Sequence, residues 1–364
     1  MIYLNRHTVP NLTLKQLNRI SPSKYFSLQA CILREVWSAD NQTKGLLPVA
    51  PIIKIGTVAH KVLELAAKGL VKTEEDAVKQ WDIGVKATEE EMNSSWLEKH
   101  LLPLSKKARY YEVKRQQCLI MVRSILGRGS GKGIIRPSSI KVEVWVESSN
   151  GKVAGKIDVV RQTSEGVQIV DYKTGAVLEI NADADEIKLE YQLQLKIYAA
   201  LYNEKYGNWP EHLVILTLGH KEYEIPFTKK ECKNLLEKAS ARLDEVNAMI
   251  ASAHSVKELA NPTPDNCRYC TFRPACEVYW TTRDLTGLWP IDCYGRVIDL
   301  KVLNNGSLRV TINNGSDNVV IRGLDPKRHE GFQYNASEVF FYNLNVDSVS
   351  GYYTESLLTT CYCK

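Results

Sequence analysis

No apolar run in the 364 residues approaches the roughly 18 that a membrane span needs, and Met1 to Pro10 lack the long apolar stretch of a signal peptide. Both absences point away from the membrane and lead us to expect a cytoplasmic protein. Internal repeats and low-complexity tracts are missing too, which sets aside solenoids and linkers. Net charge is small: 47 basic against 42 acidic residues give +5, too little to name a partner by itself. The chain has no Gly-x-Ser-x-Gly elbow, so a Ser-His-Asp hydrolase is unsupported. It also has no Walker A loop. Gly127 to Gly133 imitates one, but Leu126 stands where a glycine is needed and Gly133 where a Ser or Thr is needed.

What is there is a globular composition, 44% hydrophobic and 24% charged, at a length that suits one enlarged domain with an appendage or two domains. Helix-compatible spacing runs from Leu12 to Ala39, with Ser21-Pro22-Ser23 as the start of a helix through Cys31. After a loop from Gly45 to Pro51, the spacing predicts a helix over Ile55 to Gly69, and residues 75 to 126 read as mostly helical. Lys141 to Glu147, Lys152 to Arg161 and Val167 to Lys173 are β-prone and separated by turn sequences, a three-stranded meander. Ile187 to Leu201 alternates like a strand but is long for one. A strand over His212 to Leu218 and a helix over Lys229 to Ala253 follow. From about residue 285 the pattern changes to short β-runs with Asn-Asn-Gly turns at 304 to 306 and 313 to 315.

Four groups of residues could carry chemistry. Asp171-Tyr172-Lys173 ends an apolar strand, and residues two apart on a strand share a face. An earlier strand carries Asp158, so two adjacent antiparallel strands would present two carboxylates to one hard cation. Acid-x-Lys by itself is uninformative, since Glu112-Val113-Lys114, Glu186-Ile187-Lys188 and Asp325-Pro326-Lys327 match it as well. His60 lies on a partly apolar helix, where a lone histidine is ordinarily structural. Of the nine cysteines, Cys267, Cys270 and Cys276 are closely spaced and leave a metal one ligand short; Cys31 is the best candidate for the fourth. Such a set suits a 4Fe-4S cluster or zinc. Between Ser105 and Lys141 stand ten basic residues and one acid, among them Lys106, Lys107, Arg109, Lys114 and Arg115, a candidate phosphate-binding run.

Taken in order, Cys31, Gly56…His60…Leu63-Glu64, Gly155-Lys156-Ile157-Asp158, Asp171-Tyr172-Lys173, Gln194…Tyr198 and the three late cysteines resemble the RecB/AddB-type branch of the PD-(D/E)XK nuclease superfamily. The resemblance extends to its iron–sulfur members among CRISPR adaptation nucleases and flap-processing helicase-nucleases. One departure is Ile32, where that group often has a proline after the first cysteine. The resemblance implies an α/β restriction-endonuclease-like core, a mixed central sheet flanked by helices, over residues 1–284. It implies DNA hydrolysis with Mg2+ or Mn2+ held by His60, Asp158, Asp171 and the Tyr172 carbonyl, and with Lys173, Gln194 and Tyr198 completing the site. It also implies a 4Fe-4S cluster on Cys31, Cys267, Cys270 and Cys276 acting as a staple, and single-stranded DNA as preferred partner in repair, recombination or defence. Because Gln194 and Tyr198 share a face only on a helix, Asp185 to Asn203 is expected to be mainly helical. Competing functions are a non-catalytic DNA-binding subunit of a repair or defence complex and a zinc-stapled interaction protein.

Residues 285–364 carry a net charge of −1 and ten aromatics, so we expect a small β-barrel domain, five-stranded and OB-like. Phe332, Tyr334, Tyr352 and Tyr353 are candidates for base stacking, but the charge favours aromatics that fill a core or dock a protein partner.

Overall fold

Pro22 at the first helical position starts α1 (Pro22–Ala30), and α2 (Ile32–Ala39) follows after a single residue, Cys31, whose extended backbone (φ −155°, ψ 107°) separates the two. The computed structural model describes residues 8–40, 43–127, 140–180, 185–284, 287–329, 338–349 and 351–363. The helical spacing expected from Leu12 is not realised before Pro22. Ile20 instead bridges Val153, its N–H donating to Lys152 O at 2.9 Å and its carbonyl accepting from Ala154 at 3.1 Å.

Pro51 likewise starts α3 (Pro51–Ala67), inside the stretch read as loop, and Gly69 in the left-handed region (φ 72°) follows its end. A Thr73–Asp76 capping box opens α4 (Glu74–Asn93). The short α5 (Leu104–Lys107) and α6 (Tyr111–Gly127) complete a helical layer. The Gly-rich break at 128–133 lies outside the described residues.

The meander forms as expected: β1 (Ile140–Glu147), β2 (Ala154–Thr163) and β3 (Gly166–Lys173) pair antiparallel in sequence. A two-stranded arm, β4 (Leu178–Ile180) and β5 (Asp185–Ile187), leads into α7 (Leu189–Tyr206), which Gly207 closes at φ 77°. The expected helix thus starts four residues late, because 185–187 pair as a strand. β6 (His212–Thr217) then adds parallel to β3, and β7 (Glu222–Glu224) antiparallel to β6, giving the order β1-β2-β3-β6-β7. This is a mixed sheet with helices on both sides. α1, α2, α7 and α8 (Lys229–Ser252) share one apolar cluster with Ile169, Leu213 and Ile215, while α3, α4 and α6 share another with Val159, Val170 and Val214. α7 is buried continuously from Gln194 to Tyr202. Burial all round explains why its sequence shows no helical stripe.

After α9 (Pro264–Arg268) and α10 (Glu277–Thr282), the chain enters a curled sheet of seven strands. These are β8 (Cys293–Val302), β9 (Leu308–Asn313), β10 (Asn318–Leu324), β11 (Glu338–Tyr342), β12 (Asn345–Val346), β13 (Tyr352–Thr354) and β14 (Thr360–Cys363), in the order β12-β13-β10-β9-β8-β11-β14. It is a half-barrel with two edge strands, not the five-stranded OB arrangement expected. One face has its own core of Val310, Ile312, Ile321 and Phe341, whereas Phe340, Tyr342 and Tyr362 join the α1/α7 cluster of the first sheet. Tyr352 and Tyr353 are half-buried; Phe332 and Tyr334 lie outside the described residues. No helix among the described residues is long and apolar enough to cross a membrane.

Candidate active site and cysteine cleft

Asp171 and Lys173 point from β3 towards α7, on the same face as Ile169, and they meet there. The Lys173 ammonium lies 2.7 Å from Asp171 Oδ2, with both side chains largely shielded (18% and 6% exposed). Gln194, buried on α7, bridges them: its Nε2 donates to Asp171 Oδ1 at 2.8 Å and its Oε1 accepts from Lys173 Nζ at 3.0 Å. Asp171 Oδ2 has the Lys173 ammonium as its charge-assisted partner. Burial holds the Asp171 carboxyl above its ordinary range; Lys173 opposes that rise and nearby Asp158 adds to it.

Asp158 sits where β1 and β2 are distorted. Their ladder runs Val144↔Ile157 and then Val142↔Val159, skipping Glu143 and Asp158, which stand opposite one another. Ile157 packs on the α7 side and Val159, two residues on, packs on the α3 side, so the strand changes face at Asp158. Glu143 absorbs this with φ 54°, a left-handed backbone that costs a non-glycine residue about 1–3 kcal/mol. Asp158 Oδ2 accepts the Tyr172 N–H at 2.9 Å and lies 3.1 Å from His60 Nε2 on α3. The hydrogen bond to Asp158 raises the His60 pKa against the opposing effect of burial, and Asp171 and Glu143 add to the rise. Carboxylates on three neighbouring strands therefore favour positive charge at one place.

The other expected residues fall out unevenly. The Tyr198 hydroxyl lies against Gly155, where a Cβ would stand 2.8 Å from it and 3.0 Å from Pro22 Cδ; burial pushes the phenol's pKa up, so it stays neutral. Of the basic run, Lys114 reaches the site's edge, its Nζ donating to Thr174 O at 2.8 Å. Arg115 faces Asp82 and Glu112 at 3.9 Å, Arg109 covers the Tyr110 ring at 4.7 Å, and Lys106 and Lys107 are exposed. Two residues were missed from the sequence. Glu143 offered no signal, but Tyr191, whose ring centre is 4.5 Å from Lys173 Nζ, stands one helical turn before Gln194, and that spacing pointed to it.

The cysteines meet elsewhere. Cys31, at the α1/α2 junction, lines one narrow cleft with Cys267, Cys270 and Cys276, and no carboxylate or imidazole shares the lining. Burial pushes the Cys267 thiol up to about 12 and Cys276 to about 11, and the neighbouring sulfurs add to both shifts. Arg34 and Asn266 tie the two walls together, Arg34 Nη1 donating to Asn266 O at 3.0 Å and Asn266 Nδ2 to Ala30 O at 2.9 Å. Arg273 gathers the loop by donating to the carbonyls of Cys267 at 2.8 Å and Cys270 at 3.0 Å.

Among the described residues, no three His, Cys, Asp or Glu side chains converge tightly enough to hold a metal as they stand. The donor sets nevertheless differ in kind. The first is hard oxygen with one imidazole; the second is thiol throughout.

The family model described as PD-(D/E)XK nuclease superfamily matches residues 19–277, which contain all of these side chains. The chain belongs to the PD-(D/E)XK nuclease superfamily. A search of curated proteins finds none that matches this nuclease.

Proposed function

We propose that this nuclease hydrolyses DNA phosphodiesters with Mg2+ or Mn2+, acting on single strands at ends or flaps in repair, recombination or defence. Asp158, Asp171, His60 and the Tyr172 carbonyl would hold the cation, which when bound supplies electrophilic polarisation of the phosphate. Lys173, positive between Asp171 and the Tyr191 ring, orients the attacking water and offsets charge developing on the phosphate oxygens. Gln194 fixes Asp171 and Lys173 to each other, and Tyr198 braces α7 against β2. The observation that carries this reading is the Asp171–Gln194–Lys173 bridge: a buried acid and a lysine held in one geometry by a third side chain. Lys114 stands beside the site, and Lys106, Lys107, Arg109 and Arg115 would contribute at most peripheral phosphate contacts, Arg115 least.

The cysteine cleft supports a 4Fe-4S cluster, with zinc as the alternative. Either would join both ends of the nuclease unit, residues 1–284, as a staple. Residues 285–364 form an appended β-unit that packs on the nuclease unit and offers its other surface to a protein partner.

The reading is tested with purified protein and end-labelled single-stranded, duplex and flapped DNA. Mg2+-dependent degradation of the single strand, absent in Asp171→Ala, is expected. DNA binding without cleavage by the wild type, with either metal, would instead make it a non-catalytic subunit.

A further inference from the structure

A cleft of about 650 Å³ opens between α3, from Ile52 to Glu64, and the loop that follows Lys173, with Lys114 of α6 in its lining. His60 forms part of its wall, so the cleft and the carboxylate centre share a side chain. The cleft is therefore contiguous with that centre.

The lining says which part of a nucleotide belongs there. Ile52, Ile53 and Ala176 make it apolar, and Ile53 is 54% exposed with its side chain open to the cleft. Its charged groups are partly engaged. Glu64 accepts from Lys61 at 2.9 Å and from Lys68, and Lys114 Nζ donates one hydrogen bond to the Thr174 carbonyl. Lys114 keeps two further donors for a neighbouring phosphate, while the faces of a base would find aliphatic walls at Ile52, Ile53 and Ala176. Gly56 sets the closeness of those walls, because a Cβ there would lie 2.7 Å from Thr174 Oγ1.

We propose that this cleft seats the unpaired base of a nucleotide adjoining the scissile phosphate, which makes the site selective for single strands. The inference rests on the nuclease reading above. A base within a duplex is paired and stacked, so it must leave its complement to enter a cleft walled by α3 and residues 174–176. Selection therefore arises from the shape and apolarity of this wall, not from sequence-reading hydrogen bonds.

The probe is a set of end-labelled single-stranded oligonucleotides carrying one abasic residue at successive positions. With wild-type protein, KM should rise by about fivefold when the abasic residue sits at one fixed offset from the cut, as expected for losing the burial of one base. Ile53→Asp, at an exposed position, should raise KM for the intact strand towards the abasic value with a smaller change in kcat, and should add little on the abasic strand. If intact strand is cut, Asp171→Ala is inactive, and no offset changes KM beyond twofold, the base seat is wrong while the nuclease reading stands. If wild type cuts no strand with Mg2+ or Mn2+, both fail together.

Discussion

The carboxylate centre and the cysteine cleft lie within one family match but are built in opposite ways. The first is assembled from neighbouring strands, distorted at Glu143 and Asp158, together with α3 and the helix that connects β3 to β6. The second joins the two ends of the matched region and depends on side chains that clamp loop carbonyls, chiefly Arg34, Asn266 and Arg273. Arg273 reaches further. Its guanidinium is buried with Asp292 at 2.8 Å and donates to Asn343, which stands between β11 and β12. Tyr279 donates to the same Asp292 at 2.7 Å. The cysteine loop is thereby tied to the C-terminal sheet. Damage to one region should remove chemistry, and damage to the other should remove structure.

The largest expected effect tests the first half of that contrast. Asp171→Ala or Lys173→Ala should lower cleavage by at least about a hundredfold to a thousandfold, while binding of DNA and the metal content of the cysteine cleft stay at wild-type levels. Asp158→Ala should do the same. Two of the three retaining full rate would show that the centre is misassigned. His60→Ala should reduce the rate and recover in part with Mn2+, which accepts imidazole more readily than Mg2+ does.

The second half is tested at Arg273. Replacing it with Met leaves Asp292 buried without its counter-charge, which costs about 3–5 kcal/mol. We expect a large drop in melting temperature together with loss of bound iron or zinc. Truncation after residue 284 should act similarly, since it removes Asp292 and Asn343 and uncovers the apolar surface under Phe340, Tyr342 and Tyr362. An active, metal-replete truncation would show that the C-terminal sheet is dispensable and weaken the contrast.

At the cleft itself, anaerobically purified protein should be brown with about four irons per chain. Cys31→Ala should lose metal as fully as Cys270→Ala, though Cys31 belongs to a different segment. Stoichiometric zinc in a colourless protein would replace the cluster and leave the nuclease reading in place.

How far the sequence reached follows the same division. The meander and the placing of Asp158 and Asp171 on adjacent strands were legible because they depend on a period of two and on turn residues, whereas the helix carrying Gln194 was expected from the resemblance, its own sequence alternating like a strand. The face change at Glu143 and Asp158 was not, because a left-handed glutamate inside a strand leaves no mark in hydrophobic pattern. The non-helical path of residues 12–20 was hidden likewise, since Ile20 pairs with Val153 and Leu17 with Asn247, contacts far away in the sequence. The Arg273–Asp292 pair joins segments read as separate domains, and such pairs are invisible until the fold is known. The half-barrel was misjudged as five strands because β12 and β13 are too short to register in the sequence.

A smaller effect sharpens the account of Lys173. The Tyr191 ring should contribute about 0.5–2 kcal/mol to holding the ammonium in place. Tyr191→Leu should therefore lower kcat several-fold with little change in KM, and Tyr191→Phe, which keeps the ring, should restore it. Equal kcat in the two variants would reduce Tyr191 to packing.

The smallest effect concerns a second tie between the C-terminal sheet and the helical layer. His100 Nε2 lies 2.9 Å from Leu357 O and 3.1 Å from Arg328, and burial, with Arg328 adding repulsion, lowers its pKa to about 4. In the unfolded chain this histidine takes up a proton as pH falls through about 6.5, whereas the folded protein refuses it until about 4. The unfolded state therefore binds more protons across that window, and stability falls as pH drops from 6.5 towards 4. His60 and His212, whose pKa values are raised, act in the opposite sense, so the measurement is a difference. The fall in melting temperature between pH 7 and pH 5 should be smaller in His100→Asn than in wild type. Because the tie is partly open to solvent, the change should be modest, well below that of Arg273→Met. An identical pH slope in the two proteins would mean that His100 is solvated in solution, leaving the Arg273–Asp292 pair and the aromatic face to hold the sheet in place.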